Sequence, residues 1–202
     1  MLLLYFLLAG VVIGLARGGH LTHLGEARFV WWPVALGGLA FQALLFSGPL
    51  GSRVGDAGPG LYVVSTLAVL GALLRNVNLP GFALIAVGAS LNLVAIVANG
   101  GQMPAEPAAV MALLGQASIP ADVFSNSVVA GSGAAFPYLG DIMVLPRPIP
   151  FANVFSIGDV LIGIGGALFL VRSMGRRSCV SVPCAPRRHE AAAMADSKWD
   201  RR

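Results

Sequence analysis

Two carboxylates frame the most distinctive polar stretch of this 202-residue chain. Asp141 follows the letters YLG, and Asp159 follows FSIG eighteen residues later. Two carboxyl groups that share one proton can hydrolyse a peptide bond, because one activates water as a base while its protonated partner polarises the scissile carbonyl group. Eighteen residues of chain can bring the two acids together or hold them apart. Asp141 and Asp159 are therefore candidate catalytic residues whose separation the sequence leaves open.

Asp159 also has a purely structural interpretation. Ser156 precedes it by three residues, which is the spacing of a capping box with Ser156 as the N-cap of a helix. A carboxylate in the first turn is stabilised by the positive end of the helix dipole. Pro146, Pro148 and Pro150 prevent the preceding stretch from being helical throughout, so that a helix is expected to begin at this serine. A helix cap and a catalytic acid are equally compatible with Asp159.

A second polar stretch, ANGGQMP at positions 98–104, follows a long apolar run. Asn99 and Gly100 favour a left-handed helix end, and the proline prevents the helix from restarting. Asn92 lies seven residues before Asn99 and shares its helical face, where an interhelical hydrogen bond is the favoured role. The alternative is a binding surface beneath the polar loop. Its candidate residues are Asn92, Asn99, Gly100, Gly101, Met103, Pro104 and Ser156.

Metal and cofactor sites are not predicted. His20 and His23 are three residues apart and near Glu26, a spacing that can place ligands on one helical face, but two histidines alone do not form a metal site. We interpret this stretch as a solvated loop. Cys179 and Cys184 are the only cysteines and have no second ligand pair nearby, so that neither a disulfide nor a zinc site is expected.

The composition indicates a membrane protein. Hydrophobic residues make up 56% of the chain and charged residues only 11%, whereas soluble domains have about one quarter charged residues. The apolar runs are continuous rather than alternating, which favours helices over a β-barrel. Five runs cover positions 2–16, 30–46, 61–74, 82–98 and 157–171, the third being the least distinct. We therefore predict an all-α integral membrane protein with about five transmembrane helices and one long outer loop, 99–155.

The distribution of basic residues predicts the orientation. From Arg172 onward the chain carries eight basic and three acidic residues, compared with five and six before it. Positively charged segments tend to stay in the cytoplasm, so that the C-terminus is expected inside, with the N-terminus and the long loop outside. Residues 1–175 form the predicted transmembrane domain. Residues 176–202 form a basic tail that is expected to be disordered and to contact anionic membrane lipids rather than nucleic acid.

Three sequence motifs resemble those of a known family of membrane proteins. With NGGQMP after the fourth run, and YLGD and FSIGD before the last, residues 1–171 resemble a family of small bacterial multi-spanning membrane proteins of unknown function. This resemblance implies the cytoplasmic (inner) membrane of a bacterium and names no activity.

A fainter resemblance, to a second family, implies an enzymatic activity. The C-terminal part is similar to the end of lipoprotein signal peptidase, a bacterial aspartic peptidase that cleaves lipoprotein precursors at the outer face of the inner membrane. The resemblance implies catalytic roles for Asp141 and Asp159, with Ser156 and Gly158 in place of that family's Asn and Ala. The family's Asn-x-x-Asp-Arg segment is missing before Asp141, and its motif after the first span is missing too.

Three classes of function remain. The leading one is a non-enzymatic membrane component whose outer loop binds a membrane protein partner or lipid. The alternative is the aspartic peptidase. The third is a small-solute transporter, for which the polar residues Gln42 and Asn92 outline no ion path through the apolar runs.

Overall fold

The computed structural model describes residues 2–46, 53–115, 127–129 and 133–175. Every predicted apolar run is helical in it, with ends within three residues of those expected. The long helices are α1 (Leu2–Ala16), α2 (Trp32–Leu45), α3 (Gly58–Arg75), α4 (Phe82–Ala98) and α6 (Ile157–Met174), and a short helix, α5 (Pro107–Leu114), lies in the loop between α4 and α6. By length and apolar composition, α3 and α6 can each cross a membrane, while α1, α2 and α4 are shorter apolar helices.

The long helices pack as neighbours in the order α2, α3, α4, α6, α1. Small residues lie where helices meet, since they let backbones approach closely. On the face of α1 that meets α6, Gly10 lies against Ala167 and Gly14 against Met174. These matched positions show that α1 runs parallel to α6. Glycines also lie where α4 meets α6 and let the two backbones approach closely. A Cβ atom on Gly165 would lie 2.6 Å from the Gly81 carbonyl oxygen.

The two ends of the bundle differ in charge. We call one the arginine end, because the helix ends and connections there carry Arg17, Arg28, Arg75 and Arg172. A 3-10 helix, Leu21–Glu26, packs against α6 at this end, and the His20 N–H donates to the Met174 carbonyl oxygen at 2.9 Å. The opposite end is the loop end, which carries the end of α2, the start of α3 and the described residues between α4 and α6.

A glycine with positive φ lies at each end of α4. The predicted C-terminal end is confirmed, with Asn99 at the C-cap and Gly100 in the left-handed region at φ 70°. At the start of α4, Gly81 is the N-cap at φ 82°, because only a residue without a Cβ can take this conformation beside the Gly165 carbonyl group.

The described parts of the segment between α4 and α6 contain a helix, a 3-10 helix and four short strands, where the sequence predicted a single long loop. Strand β1 (Met103–Ala105) pairs in parallel with β2 (Ser127–Val129), and β3 (Met143–Leu145) pairs in antiparallel with β4 (Asn153–Phe155). A small core of Ala105, Ala109, Val110 and Val154 joins α5 to these strands. The fold is thus mainly helical with two small sheets. The predicted tail, 176–202, lies outside the described residues, as do its two cysteines.

Candidate functional site at the loop end

A hydrogen-bonded network joins α4 to α6 at the loop end. The Asn92 Nδ2 donates to Asp159 Oδ1 at 2.8 Å, and the Ser156 hydroxyl donates to Asn92 Oδ1 at 2.9 Å. The Ser156 N–H donates to Asp159 Oδ2 at 3.0 Å, while the Asp159 N–H donates to Ser156 Oγ at the same distance. These two bonds are the reciprocal capping box that the sequence predicted. Ser156 is fully buried, so the network is part of the bundle interior.

The network gives each oxygen of the Asp159 carboxylate a donor. One is a backbone N–H of the helix cap and the other is the amide of Asn92, which makes the interhelical hydrogen bond expected for it. A carboxylate held by donors on both oxygens is fixed in orientation. In this arrangement Asp159 caps the start of α6 and joins it to α4 through a hydrogen bond with Asn92.

Asn99 attaches the loop to the end of α4. Its Nδ2 donates to the carbonyl oxygens of Ala95 at 2.7 Å and Ala135 at 2.8 Å, and its Oδ1 accepts from the Ala135 N–H at 2.9 Å. The side chain thereby satisfies an unpaired carbonyl of the last helical turn and both backbone groups of a residue 36 positions away. Asn99 therefore fixes the segment that enters the 3-10 helix Pro137–Leu139.

Asn76, which was not predicted from the sequence, has the same geometry at the arginine end. It is the C-cap of α3, and its Nδ2 donates to the carbonyl oxygens of Ala72 at 2.7 Å and Val30 at 2.6 Å. Its Oδ1 accepts from the Val30 N–H at 2.8 Å. The available sequence signal was an asparagine immediately after the last residue of an apolar helix, as at Asn99. Each end of the bundle thus has one asparagine that binds the backbone of a distant residue.

Three further residues of the ANGGQMP stretch, Gly101, Met103 and Pro104, pack the loop against the bundle. Gly101 has φ 88° and lies so close to Pro59 of α3 that a Cβ would be 3.0 Å from the proline Cα. Met103 is buried against Ala95 and Ile96, and Pro104 is fully buried. The structure therefore places Gly101, Met103 and Pro104 in packing and backbone contacts.

Asp141 is buried next to β1. Its N–H donates to the Pro104 carbonyl oxygen at 2.9 Å, and its own carbonyl oxygen accepts from the Glu106 N–H at 3.0 Å. These bonds extend the parallel pairing of β1, so that Asp141 has a fixed backbone position at the loop end.

The two candidate acids both lie at the loop end, since Asp159 is in the first turn of α6 and Asp141 is bonded to the backbone of β1. Tyr62 of α3 lies at the same end. Its ring packs edge-to-face on Phe46 with centroids 4.9 Å apart, and it packs against the buried cluster that contains Met103. Tyr62 was not predicted from the sequence, since nothing local distinguishes an aromatic residue near the start of an apolar helix.

The histidine stretch is a structural connection at the opposite end of the bundle. A ring nitrogen of His23 lies 3.2 Å from the Met174 carbonyl oxygen, and the His20 and His23 rings contact edge-to-face. Over the described part of the chain, no three His, Cys, Asp or Glu side chains are grouped so that they could hold a metal ion.

Residues 26–171 match the sequence profile of a family described as "Family of unknown function (DUF5317)". The chain belongs to this family. The DUF5317 match contains the whole Asn92, Ser156 and Asp159 network and the ANGGQMP stretch, but it begins after α1, later than the start at residue 1 that the resemblance indicated. Neither the curated proteins nor the solved structures contain a match to this chain, so the similarity to lipoprotein signal peptidase gains no support.

Proposed function

We propose that this DUF5317 protein is an integral membrane protein whose loop end is a preformed binding surface for a membrane protein partner. Support for a lipid environment comes from large apolar side chains that point outward on every long helix. Leu8, Leu36, Val64, Val97 and Ile164 are examples, each from a different helix and each 41% exposed or more. Apolar exposure over all helices is unfavourable in water and is what hydrocarbon surroundings require.

Aromatic side chains at both ends of the bundle support the same environment. Trp31 and Trp32 are more than half exposed at the arginine end, and Phe136, Tyr138 and Phe151 are exposed at the loop end. Aromatic residues collect at the two membrane interfaces because an amphipathic ring suits the boundary between hydrocarbon and water.

Charge supports an orientation with the arginine end in the cytoplasm. Among the described side chains, four arginines and one acid, Glu26, lie at that end, whereas the loop end carries two arginines and three acids. These loop-end charges are Arg53, Arg147, Glu106, Asp141 and Asp159. The positive-inside rule then places the loop end on the outer side of the bacterial inner membrane.

A labelling experiment tests this orientation. Single cysteines at Tyr138 and Thr22, both exposed, are introduced into a chain that lacks Cys179 and Cys184. In intact cells we expect a membrane-impermeant maleimide to label the cysteine at position 138, and to label the one at position 22 only after permeabilisation. The reverse pattern would overturn the orientation.

The observation that carries the proposal is a fixed loop with exposed aromatic side chains. Asn99 holds the backbone of Ala135 next to Phe136, and the Tyr5 hydroxyl donates to the Pro150 carbonyl oxygen at 2.6 Å next to Phe151. Both phenylalanines adopt positive φ angles, 50° and 59°, which cost about 1 kcal/mol or more each in a non-glycine residue. Fixing the backbone that carries these side chains before binding lowers the entropy cost of association.

Site-specific photo-crosslinking tests for the partner. A photoreactive amino acid at Tyr138, 78% exposed, should yield one dominant protein adduct in intact cells, and the same group at Thr22 should not. The Phe136→Ser change should lower the yield about tenfold, corresponding to the loss of about 1.4 kcal/mol of binding free energy, without changing the thermal unfolding midpoint in detergent. Adducts with lipid alone, or a yield that is indifferent to Phe136→Ser, would contradict a protein partner.

An acid-pair peptidase is the second candidate, and one observation favours it. Asp141 is bonded to the backbone of β1 and Asp159 lies in the first turn of α6, so that both acids lie at the loop end, and a proton-sharing pair must lie in one region. The donors that surround Asp159 favour the helix-cap role instead. A transporter receives less support, because Gln42 donates to Ser65 and Thr66 across α2 and α3 and so joins helices.

A further inference from the structure

We propose that a cleft at the arginine end binds the phosphate of an anionic lipid headgroup. The cleft has a volume of about 740 Å³ and lies between three parts of the chain: the connection from α1 to α2, the entry to α4 and the last turn of α6. The polar side chains that line it are His23, Glu26, Arg28, Arg172 and Ser173. This site uses none of the loop-end residues and none of the tail, 176–202.

The walls of the cleft are held by contacts that do not involve its two arginines. Phe29, beside Arg28, packs its ring on Phe82 of α4 with centroids 5.4 Å apart, and Phe82 packs on Phe169 of α6 at 5.3 Å. The next residue, Val30, is held by the Asn76 amide through both of its backbone groups. The arginine side chains are therefore presented by a fixed framework and are exposed at its surface.

The chemistry of the lining suits a phosphate. A guanidinium group offers a planar set of donors that matches phosphate oxygens in pairs, and Arg28 and Arg172 bring two such groups from different elements. The Ser173 hydroxyl adds a neutral donor. Among the described residues of the lining, Glu26 is the only acid, so that this lining carries net positive charge. Leu79 and Pro80 form an apolar wall that can contact the glycerol or upper acyl carbons of a lipid.

The position of the cleft favours a lipid over a soluble anion, and this step depends on the membrane location proposed above. Trp31 and Trp32 are exposed at the same end of the bundle, at the level where aromatic residues meet the headgroup region. Basic pockets between transmembrane helices on the cytoplasmic side are suited to anionic headgroups. A volume of 740 Å³ also exceeds that of inorganic phosphate and lies within the range of sites for larger ligands.

Binding of a soluble short-chain lipid tests the proposal on the full-length protein in detergent. Dioctanoyl-phosphatidylglycerol is titrated and its Kd measured by thermophoresis. We expect Arg28→Gln and Arg172→Gln each to weaken binding about tenfold, since each removes one charge-assisted phosphate contact. Glu26→Gln should strengthen binding several-fold because it removes the repelling carboxylate. Arg75→Gln is the matched control, as it removes the same charge at the same end from a residue that does not line the cleft.

Two further ligands separate the possible sources of phosphate. Dioctanoyl-phosphatidylcholine should bind more weakly than the anionic lipid, and inorganic phosphate should compete only at much higher concentration. Equal effects of Arg28→Gln and Arg75→Gln, or equal competition by inorganic phosphate, would overturn the lipid site. The variants are expected to keep the parental thermal midpoint because both arginines are exposed. The Kd does not depend on the loop-end partner, so failure here leaves that proposal standing.

Discussion

Gly158→Ala is expected to lower the free energy of unfolding by about 3 kcal/mol, because the added methyl group has no space between α4 and α6. A Cβ at this position would overlap Asn92 Oδ1 and lie 2.7 Å from the Gly88 carbonyl oxygen. Neither neighbour can move without loss, since Gly88 contributes backbone and the Asn92 amide is bonded to Ser156 and Asp159. The measurement is the thermal unfolding midpoint and folded yield of the full-length protein in detergent.

Gly71→Ala is the matched control for this change. Gly71 lies within α3, and a Cβ there would meet no atom within 4 Å. The same added methyl should be neutral or should stabilise the helix by about 0.5 to 1 kcal/mol, as is usual for glycine to alanine inside helices. If the two variants unfolded at the same temperature, the close approach of α4 and α6 at Gly158 would be wrong.

The helices were predictable and the contacts between them only partly so. Continuous apolar runs identify α1 to α4 and α6, because a run of that length has few other stable forms in this composition. The interhelical hydrogen bond that was expected for Asn92 is present as well, with Asp159 as its partner. The contact of Gly88 with Gly158 was not predicted, since the two glycines are 70 positions apart and each alone is an ordinary residue in such helices.

The candidate site shows the same division between local and distant information. The capping box of Ser156 with Asp159, and the left-handed Gly100, follow from residues that are neighbours in sequence. The partners of Asn99 and of Tyr62 were not predictable, because the tertiary fold selects which distant backbone or side chain comes within reach. Local signals thus predicted where α4 ends and where α6 begins, and left open what each end contacts.

Asp159→Asn is expected to lower the free energy of unfolding by about 2 kcal/mol, more than loss of the helix-dipole interaction alone would cost. The asparagine would place its NH2 group, a donor, where one carboxylate oxygen had accepted a hydrogen bond. That NH2 group would face either the Ser156 N–H or the Asn92 Nδ2, which are both donors. Rotating the Asn92 amide removes that conflict but takes the acceptor away from the Ser156 hydroxyl. One donor therefore loses its partner in each arrangement. Thermal unfolding of the full-length protein in detergent measures the loss.

The double variant Asn92→Asp/Asp159→Asn is the matched test, because it exchanges the two side chains and restores every donor to an acceptor. The asparagine at 159 can donate to the aspartate at 92 and accept from the Ser156 N–H, while the Ser156 hydroxyl again donates to position 92. We expect the exchange to recover most of the lost stability, except for the helix-dipole contribution of a charge at the start of α6. A double variant less stable than Asp159→Asn would contradict a hydrogen-bonding role.

The same exchange separates the helix cap from the catalytic acid when it is measured as complementation of a deletion strain. If Asp159 is a helix cap, complementation follows the stability of each variant. The double variant then complements the deletion strain where Asp159→Asn does not. Asp141→Asn has no defect in complementation beyond its own effect on folding. If Asp159 is half of an acid pair, the exchange restores folding but not the phenotype, because the carboxyl group has moved to another helix. Asp141→Asn would then fail equally while remaining folded, since paired catalytic acids act as one unit.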